Sequence, residues 1–293
     1  MPRDHLVRGI FPEAGLRAMF VRVGDTARMA RMLHGLAPTA AHLFAEGLCG
    51  GLLVAALQKD RARINLQLEC DGPLRGLFVD AAPAGQVRGY VRAPAIHFPG
   101  DPVQGARAAL GGSGYLSVIR DQGQGNFYRG SVQLQALSLA GDLRRYFAES
   151  EQVDTALDLQ VLPRGDEPLG DVAGLLLQRL PGGDAEAVAA VRARVEEGAF
   201  ARALAGSGSA QEALRLVVGE GFEVLADTEV AYVCGCSQER ARAAITVLGR
   251  DGVSELLADE RKAVVACEFC RAQYLVEEAE LRQILSRLSE AGE

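Results

Sequence analysis

Apolar and polar positions alternate most regularly in INLQLEC, where Ile64, Leu66, Leu68 and Cys70 share one phase and Asn65, Gln67 and Glu69 the other. A period of two marks a strand with one buried face. DGPLRG supplies a turn, and LFVDA and QVRGYV continue as strand candidates. GYLSVIRDQGQGNFYRGSVQLQAL predicts a hairpin, because DQGQGN is a turn cluster between β-prone flanks. Helical spacing appears over GDTARMARML, TAAHLFAEGLCGGLLVAALQ and GDLRRYFAES, the last followed by a strand in DTALDLQVL. Strands and helices that do not alternate strictly predict an α+β fold, with an N-terminal mixed sheet-and-helix domain over residues 1–178.

LPGGD at 180–184 punctuates the chain and opens a helical linker, 179–226. Val188, Val191 and Val195 recur at helical spacing, and Ser209 with Glu212 predicts a capping box for a second short helix through Leu214 and Val217. The small residues of this stretch bury little area, and such faces hold poorly unless docked on something larger. It reads either as an ordinary connector or as a segment of marginal stability poised to open.

The region 227–293 predicts a small C-terminal domain. Ser237 is placed to cap the helix QERARAAITVLGR, with Ala241, Ala244, Ile245 and Leu248 on one face. KAVVACEFCRAQYLV predicts a hairpin with CEFC at its tip, and Leu281, Ile284, Leu285 and Leu288 align along a closing helix.

The composition is that of a folded globular protein: 48% hydrophobic and 24% charged over 293 residues, long enough for one large domain and a smaller appendage. A net charge of −7 disfavours nucleic acid and anionic membrane surfaces as partners, since an acidic chain gains nothing from counterion release on a polyanion. The terminus MPRDHLVRGIFPEAGLRAMFV does not read as a signal peptide, so the cytoplasm is the expected location. LFAEGLCGGLLVAALQ at 43–58 is the most apolar run; it is short for a bilayer span and predicts a buried helix.

Four of the six cysteines form two tight pairs, Cys234 with Cys236 and Cys267 with Cys270, thirty residues apart. Four thiolates satisfy tetrahedral zinc, and a Cys-x-x-Cys knuckle points two sulfurs at one spot, so a Zn(Cys)₄ site is the expected resting state. Cys-x-Cys would form a small strained ring if oxidised, which suggests switching. Structural zinc contributes about 10–16 kcal/mol of apparent binding energy, so ejecting it should unfold so small a domain. The region 227–293 carries eight basic and thirteen acidic residues, a net −5, which argues against a zinc ribbon that binds nucleic acid.

CGCSQERAR and ACEFCRAQY, together with YFAESEQVDTAL at 146–157, GLLLQRLPG at 174–182, and GPLRGLFVDA with VRGYV at 72–91, resemble the heat-shock protein 33 family of redox-regulated holdase chaperones. Arg271 stands where that family commonly has glycine, and Asp154 where it often has proline. The resemblance implies an N-terminal α+β chaperone core, a metastable linker folded on it and a C-terminal zinc domain, with one Zn²⁺ per reduced chain. It implies that the reduced protein is inactive and that oxidation pairs Cys234 with Cys236 and Cys267 with Cys270. Zinc release and linker unfolding then expose apolar surface that captures unfolding client proteins without ATP, and a homodimer is one assembly of the oxidised state. No enzymatic activity is expected. Two other readings stay open: a thiol–disulfide oxidoreductase using CEFC, and a zinc-ribbon adaptor.

Cys49 and Cys70 read as core packing rather than redox centres. The histidines His5, His34, His42 and His97 lack ligand spacing, although His34 and His42 could meet across a turn. Glu151 and Gln152 are expected to hold a helix end, and GGSG at 111–114 lacks the Lys-Ser/Thr of a phosphate loop and reads as a turn.

Overall fold

The computed structural model describes residues 3–58, 62–121 and 127–290, and the chain divides into two compact units, Met1–Val233 and Cys234–Glu293. The class is α+β, as the sequence predicts.

The first unit holds two sheets. One contains β1 (His5–Phe11), β2 (Leu16–Arg22), β8 (Thr155–Arg164), β9 (Glu167–Arg179) and β10 (Glu223–Glu229), in the antiparallel order β10-β1-β2-β9-β8. The other contains β3 (Arg63–Cys70), β4 (Gly76–Ala81), β5 (Gln86–Val91), β6 (Gly114–Asp121), β7 (Phe127–Gln133) and the short β11 (Ala231–Tyr232), in the order β11-β5-β4-β3-β6-β7. β6 and β7 pair from Tyr115↔Gln133 to Asp121↔Phe127, giving the predicted hairpin; residues 122–126 of its turn cluster lie outside the described residues. On β3, Ile64, Leu66 and Leu68 are fully buried, as their phase predicts.

Between the sheets runs helix α2 (Pro38–Ala56), which packs on strands of both. It extends further toward the N-terminus than the apolar run, and at 19 residues is long and apolar enough to cross a membrane. Seventeen of those residues are buried, and they are buried in protein. Gly51 permits the close approach of β4: a Cβ there would sit 2.7 Å from Val79 Cγ1. The N-terminus of α1 (Gly24–His34) is held by Asp4, which accepts the N–H groups of Asp25 at 3.1 Å and Thr26 at 2.6 Å. Helix α3 (Pro102–Leu110) is capped in the same way by Asp101. Helix α4 (Leu139–Tyr146) continues into a π-helical turn at 147–151, ended by Gln152 in the left-handed region. Tyr146 and Arg120 both meet the Glu151 carboxylate at 2.5 Å, so Glu151 and Gln152 serve the helix end.

The central strands of the five-stranded sheet, β2 and β9, are buried on both faces. Met19, Val21, Leu157 and Leu176 face α2, while Val7, Phe20, Ala156, Leu175 and Leu177 face outward. That outer face is covered by α5 (Ala185–Glu196), α6 (Ala199–Gly206) and α7 (Ala210–Val217). Val188, Val191, Val195, Phe200, Leu204, Leu214 and Val217 are all buried against it, so the weakly apolar linker has found the larger surface it needs. Ser209 accepts the N–H of Glu212 at 3.2 Å as predicted, and the Glu212 carboxylate returns to Gly208 N–H.

The boundary expected at 226/227 falls inside β10. Residues 223–229 pair with β1 from Ile10↔Glu223 to His5↔Glu229, and β11 runs parallel to β5, so the chain stays with the first unit through Val233. Pairing across more than two hundred residues decides this, and local pattern carries no trace of it.

The second unit contains α8 (Gln238–Thr246), α9 (Gly249–Asp259), the hairpin of β12 (Ala263–Ala266) and β13 (Gln273–Val276), and α10 (Glu278–Glu290). Its small core is Ile245, Val253, Ala263, Val276, Leu281 and Ile284. The predicted helix over 238–250 breaks after Thr246, and Leu248 is exposed rather than aligned with Ala241 and Ile245.

Candidate metal centre

Cys234 and Cys236 lie just ahead of α8. Ser237 caps that helix by accepting the N–H of Arg240 at 3.3 Å, and Gln238 Nε2 donates to Leu275 O at 2.7 Å, tying the start of α8 to β13. The other pair sits on the hairpin tip. Register Ala266↔Gln273 leaves 267–272 as the connection, closed by Cys267 N–H to Ala272 O and Arg271 N–H to Cys267 O, both 2.8 Å. Arg271 closes the knuckle at φ +57, a left-handed conformation that costs a side chain about 1–2 kcal/mol relative to glycine.

These two segments bring the four sulfurs within 4.8 Å of one another. Between the pairs, Cys234 Sγ to Cys267 Sγ is 3.7 Å and Cys236 Sγ to Cys270 Sγ is 3.2 Å. Tetrahedral zinc–sulfur bonds of about 2.3 Å require sulfur–sulfur edges of about 3.8 Å, so the donor set fits a four-coordinate metal ion with small adjustments. All six cysteines of the chain are thiols. Among the described residues, the four clustered cysteines are the one group of three or more potential ligands gathered in this way.

The cluster is electrostatically uneven. The Tyr274 hydroxyl donates to Cys236 Sγ at 2.9 Å and holds that thiol down to about 7, while the tyrosine itself is pushed up to about 12 by the same bond. Cys270 is pushed up to about 12 by burial and by the neighbouring thiols, despite an N–H donated from Ala272. Burial also raises Cys267, against donations from the N–H groups of Phe269 and Cys270. Tyr274 was absent from the residues singled out by sequence; its signal is its place on the returning strand, four residues beyond Cys270.

The other candidates stay apart from the cluster. Cys49 is fully buried in α2, and burial pushes its thiol well above the ordinary range; Cys70, half-buried at the end of β3, is raised by the same cause. His34 and His42 do not pair: His34 Nε2 meets the Tyr232 hydroxyl at 3.0 Å, and burial pushes His42 down to about 4. His5 contacts Asp227 at 3.2 Å. At 111–114 the GGSG segment is a turn caged by Asp71, which accepts from Gly112 and Ser113 N–H.

Comparison with known proteins follows the same lines. The family described as Hsp33 protein matches residues 4–277. A 33 kDa chaperonin from Geobacter sulfurreducens is 36% identical, covering 98% of this chain and 96% of its own. One from Bacillus subtilis is 30% identical over 95% of this chain and 97% of its own. The crystal structure of the 33 kDa chaperonin (heat shock protein 33 homolog) from Thermotoga maritima superposes with a TM-score of 0.86 at 26% identity, covering 98% of this chain and 99% of that one. An α+β fold with a four-cysteine unit, in this company, defines a chaperone. Within that class, the chain belongs to the Hsp33 family.

Proposed function

We propose that this protein is an ATP-independent holdase, inactive when reduced and switched on by oxidation of Cys234, Cys236, Cys267 and Cys270. The observation that carries the proposal is the gathering of four cysteine sulfurs within 4.8 Å in a member of the Hsp33 family. A sulfur-only donor set of this size suits one zinc ion, which when bound would keep all four as thiolates and add folding energy to the small unit. That unit has a core of six buried residues, a size at which a bound metal would add materially to stability.

Each disulfide removes two ligands, so pairing Cys234 with Cys236 and Cys267 with Cys270 leaves none of the four. These partners rest on the family resemblance, since all four sulfurs lie within 4.8 Å of one another and proximity alone does not select a pairing. In this reading the first unit is the chaperone core, α5–α7 within the expected 179–226 linker are its releasable part, and the cysteine region is the switch. Undocking of α5–α7 would bare Val7, Phe11, Phe20, Leu175 and Leu177 for unfolding client proteins. A homodimer is the assembly to test for in the oxidised state, and the cytoplasm is the compartment in which reduced thiols fit as the resting form. CEFC sits on a hairpin tip rather than a helix N-terminus, which disfavours a thiol–disulfide oxidoreductase.

The test measures zinc content and suppression of client aggregation together, on the full chain, before and after peroxide with mild heat. One zinc per reduced chain, lost as protection appears, is the expected result. Retained zinc without protection sinks the proposal, and insulin reduction with turnover would favour the oxidoreductase.

A further inference from the structure

We infer that Tyr274 sets the oxidation threshold of the cysteine cluster by hydrogen-bonding Cys236 Sγ; the inference rests on the redox reading above. Its hydroxyl lies 2.9 Å from that sulfur. Tyr274 stands on β13 opposite Val265, in the hairpin that carries Cys267 and Cys270, so the bond crosses from one cysteine segment to the other. Apart from neighbouring thiols, Cys267 and Cys270 accept from backbone N–H groups of the hairpin tip, which a change of side chain other than to proline leaves in place. Tyr274 supplies its bond from a side chain, where substitution can adjust it.

The direction of the effect follows from the acceptor. A thiolate accepts a charge-assisted hydrogen bond, whereas a disulfide sulfur is neutral and accepts weakly. The bond therefore favours the reduced state. It also draws charge from the sulfur, and where all four sulfurs are already thiolates this lowers nucleophilicity without any gain in thiolate fraction. With peroxide as oxidant, the Cys236 thiolate forms an S–O bond as the O–O bond breaks and hydroxide leaves. The Cys234 thiolate then forms the S–S bond as a second hydroxide leaves. The two sulfurs give up two electrons and peroxide takes them. Tyr274 is a positioning residue that restrains the first of these steps.

The test uses the full-length, reduced, zinc-loaded chain. Tyr274→Phe keeps the ring and deletes the donor; it should weaken zinc in chelator competition by about 10-fold or more, the usual loss for an outer-sphere partner. Zinc release at fixed peroxide should quicken, and the sulfur-to-cobalt charge-transfer band of the cobalt-substituted protein should move to lower energy, a signature that ring packing alone would not shift. Placing 3-fluorotyrosine at position 274 gives a stronger donor on the same ring and should move all three readouts the opposite way. If Tyr274→Phe takes up no metal, the fluorotyrosine protein decides alone. Wild-type values in both variants, or shifts in the same direction, overturn the inference. Wild-type protein that binds no zinc when reduced would instead overturn the redox reading beneath it.

Discussion

Phe200→Ala tests whether the linker is a separable, dock-and-release element. Phe200 lies on α6, is 1% exposed, and meets Phe20 of β2 edge-to-face with ring centroids 6.2 Å apart. Truncating a buried phenylalanine costs about 3–5 kcal/mol, which already includes an aromatic pair worth about 0.5–1.5 kcal/mol. Because the ring belongs to the linker, the loss falls on docking of α5–α7. At about 1.4 kcal/mol per tenfold, the opening constant should rise by about two to three and a half powers of ten. Hydrogen exchange on the reduced, zinc-loaded chain reads this directly: amides of 185–217 should lose about a hundredfold or more of protection while β3, β4 and β6 keep theirs. Client protection should then appear without oxidant. Unchanged protection in α5–α7 would refute the packing argument. Loss of protection throughout the first unit would refute separability, since the linker would then be part of one cooperative core.

Glu46 and His42 predict a particular pH dependence. Burial, with the Asp158 charge second, pushes the Glu46 carboxyl up to about 8, so the folded chain favours its neutral form and loses stability as pH rises from 4.5 toward 8. His42, pushed down to about 4 by burial, loses stability as pH falls from 6.5 toward 4. Above pH 6.5 the Glu46 slope stands without opposition from His42. Urea titrations should show a loss of about 2 kcal/mol between pH 6.5 and 8 that Glu46→Gln abolishes; an equal slope in the variant would contradict the assignment. Arg271→Gly relieves the left-handed residue of the knuckle at φ +57 and should stabilise the second unit by about 0.5–1 kcal/mol, read as a higher thermal midpoint of the reduced zinc form. A lower midpoint would show that the Arg271–Glu268 ion pair at 2.9 Å outweighs the strain.

Where one face meets the core, the chain's own pattern was enough. Ile64, Leu66 and Leu68 announced β3, the Ser209 and Ser237 caps announced helix starts, and the paired cysteines with their hairpin announced a metal-type cluster. β2 and β9 were not announced. MFV at 19–21 and LLL at 175–177 are buried on both faces of a central sheet, and a strand covered on both sides shows no alternation to read. Phe200 likewise looks like one apolar residue in an alanine-rich stretch until the sheet beneath it is known.

Sequence by itself therefore determined which residues could form a cluster and which segments could form one-faced elements, because covalent spacing and periodicity are local properties. Tertiary structure alone decided that β10 and β11 belong to the first unit, that the linker is docked rather than loose, and that Tyr274 reaches Cys236. Those outcomes depend on strand register and on burial against partners far away in the chain, and neither leaves a mark on the residues nearby.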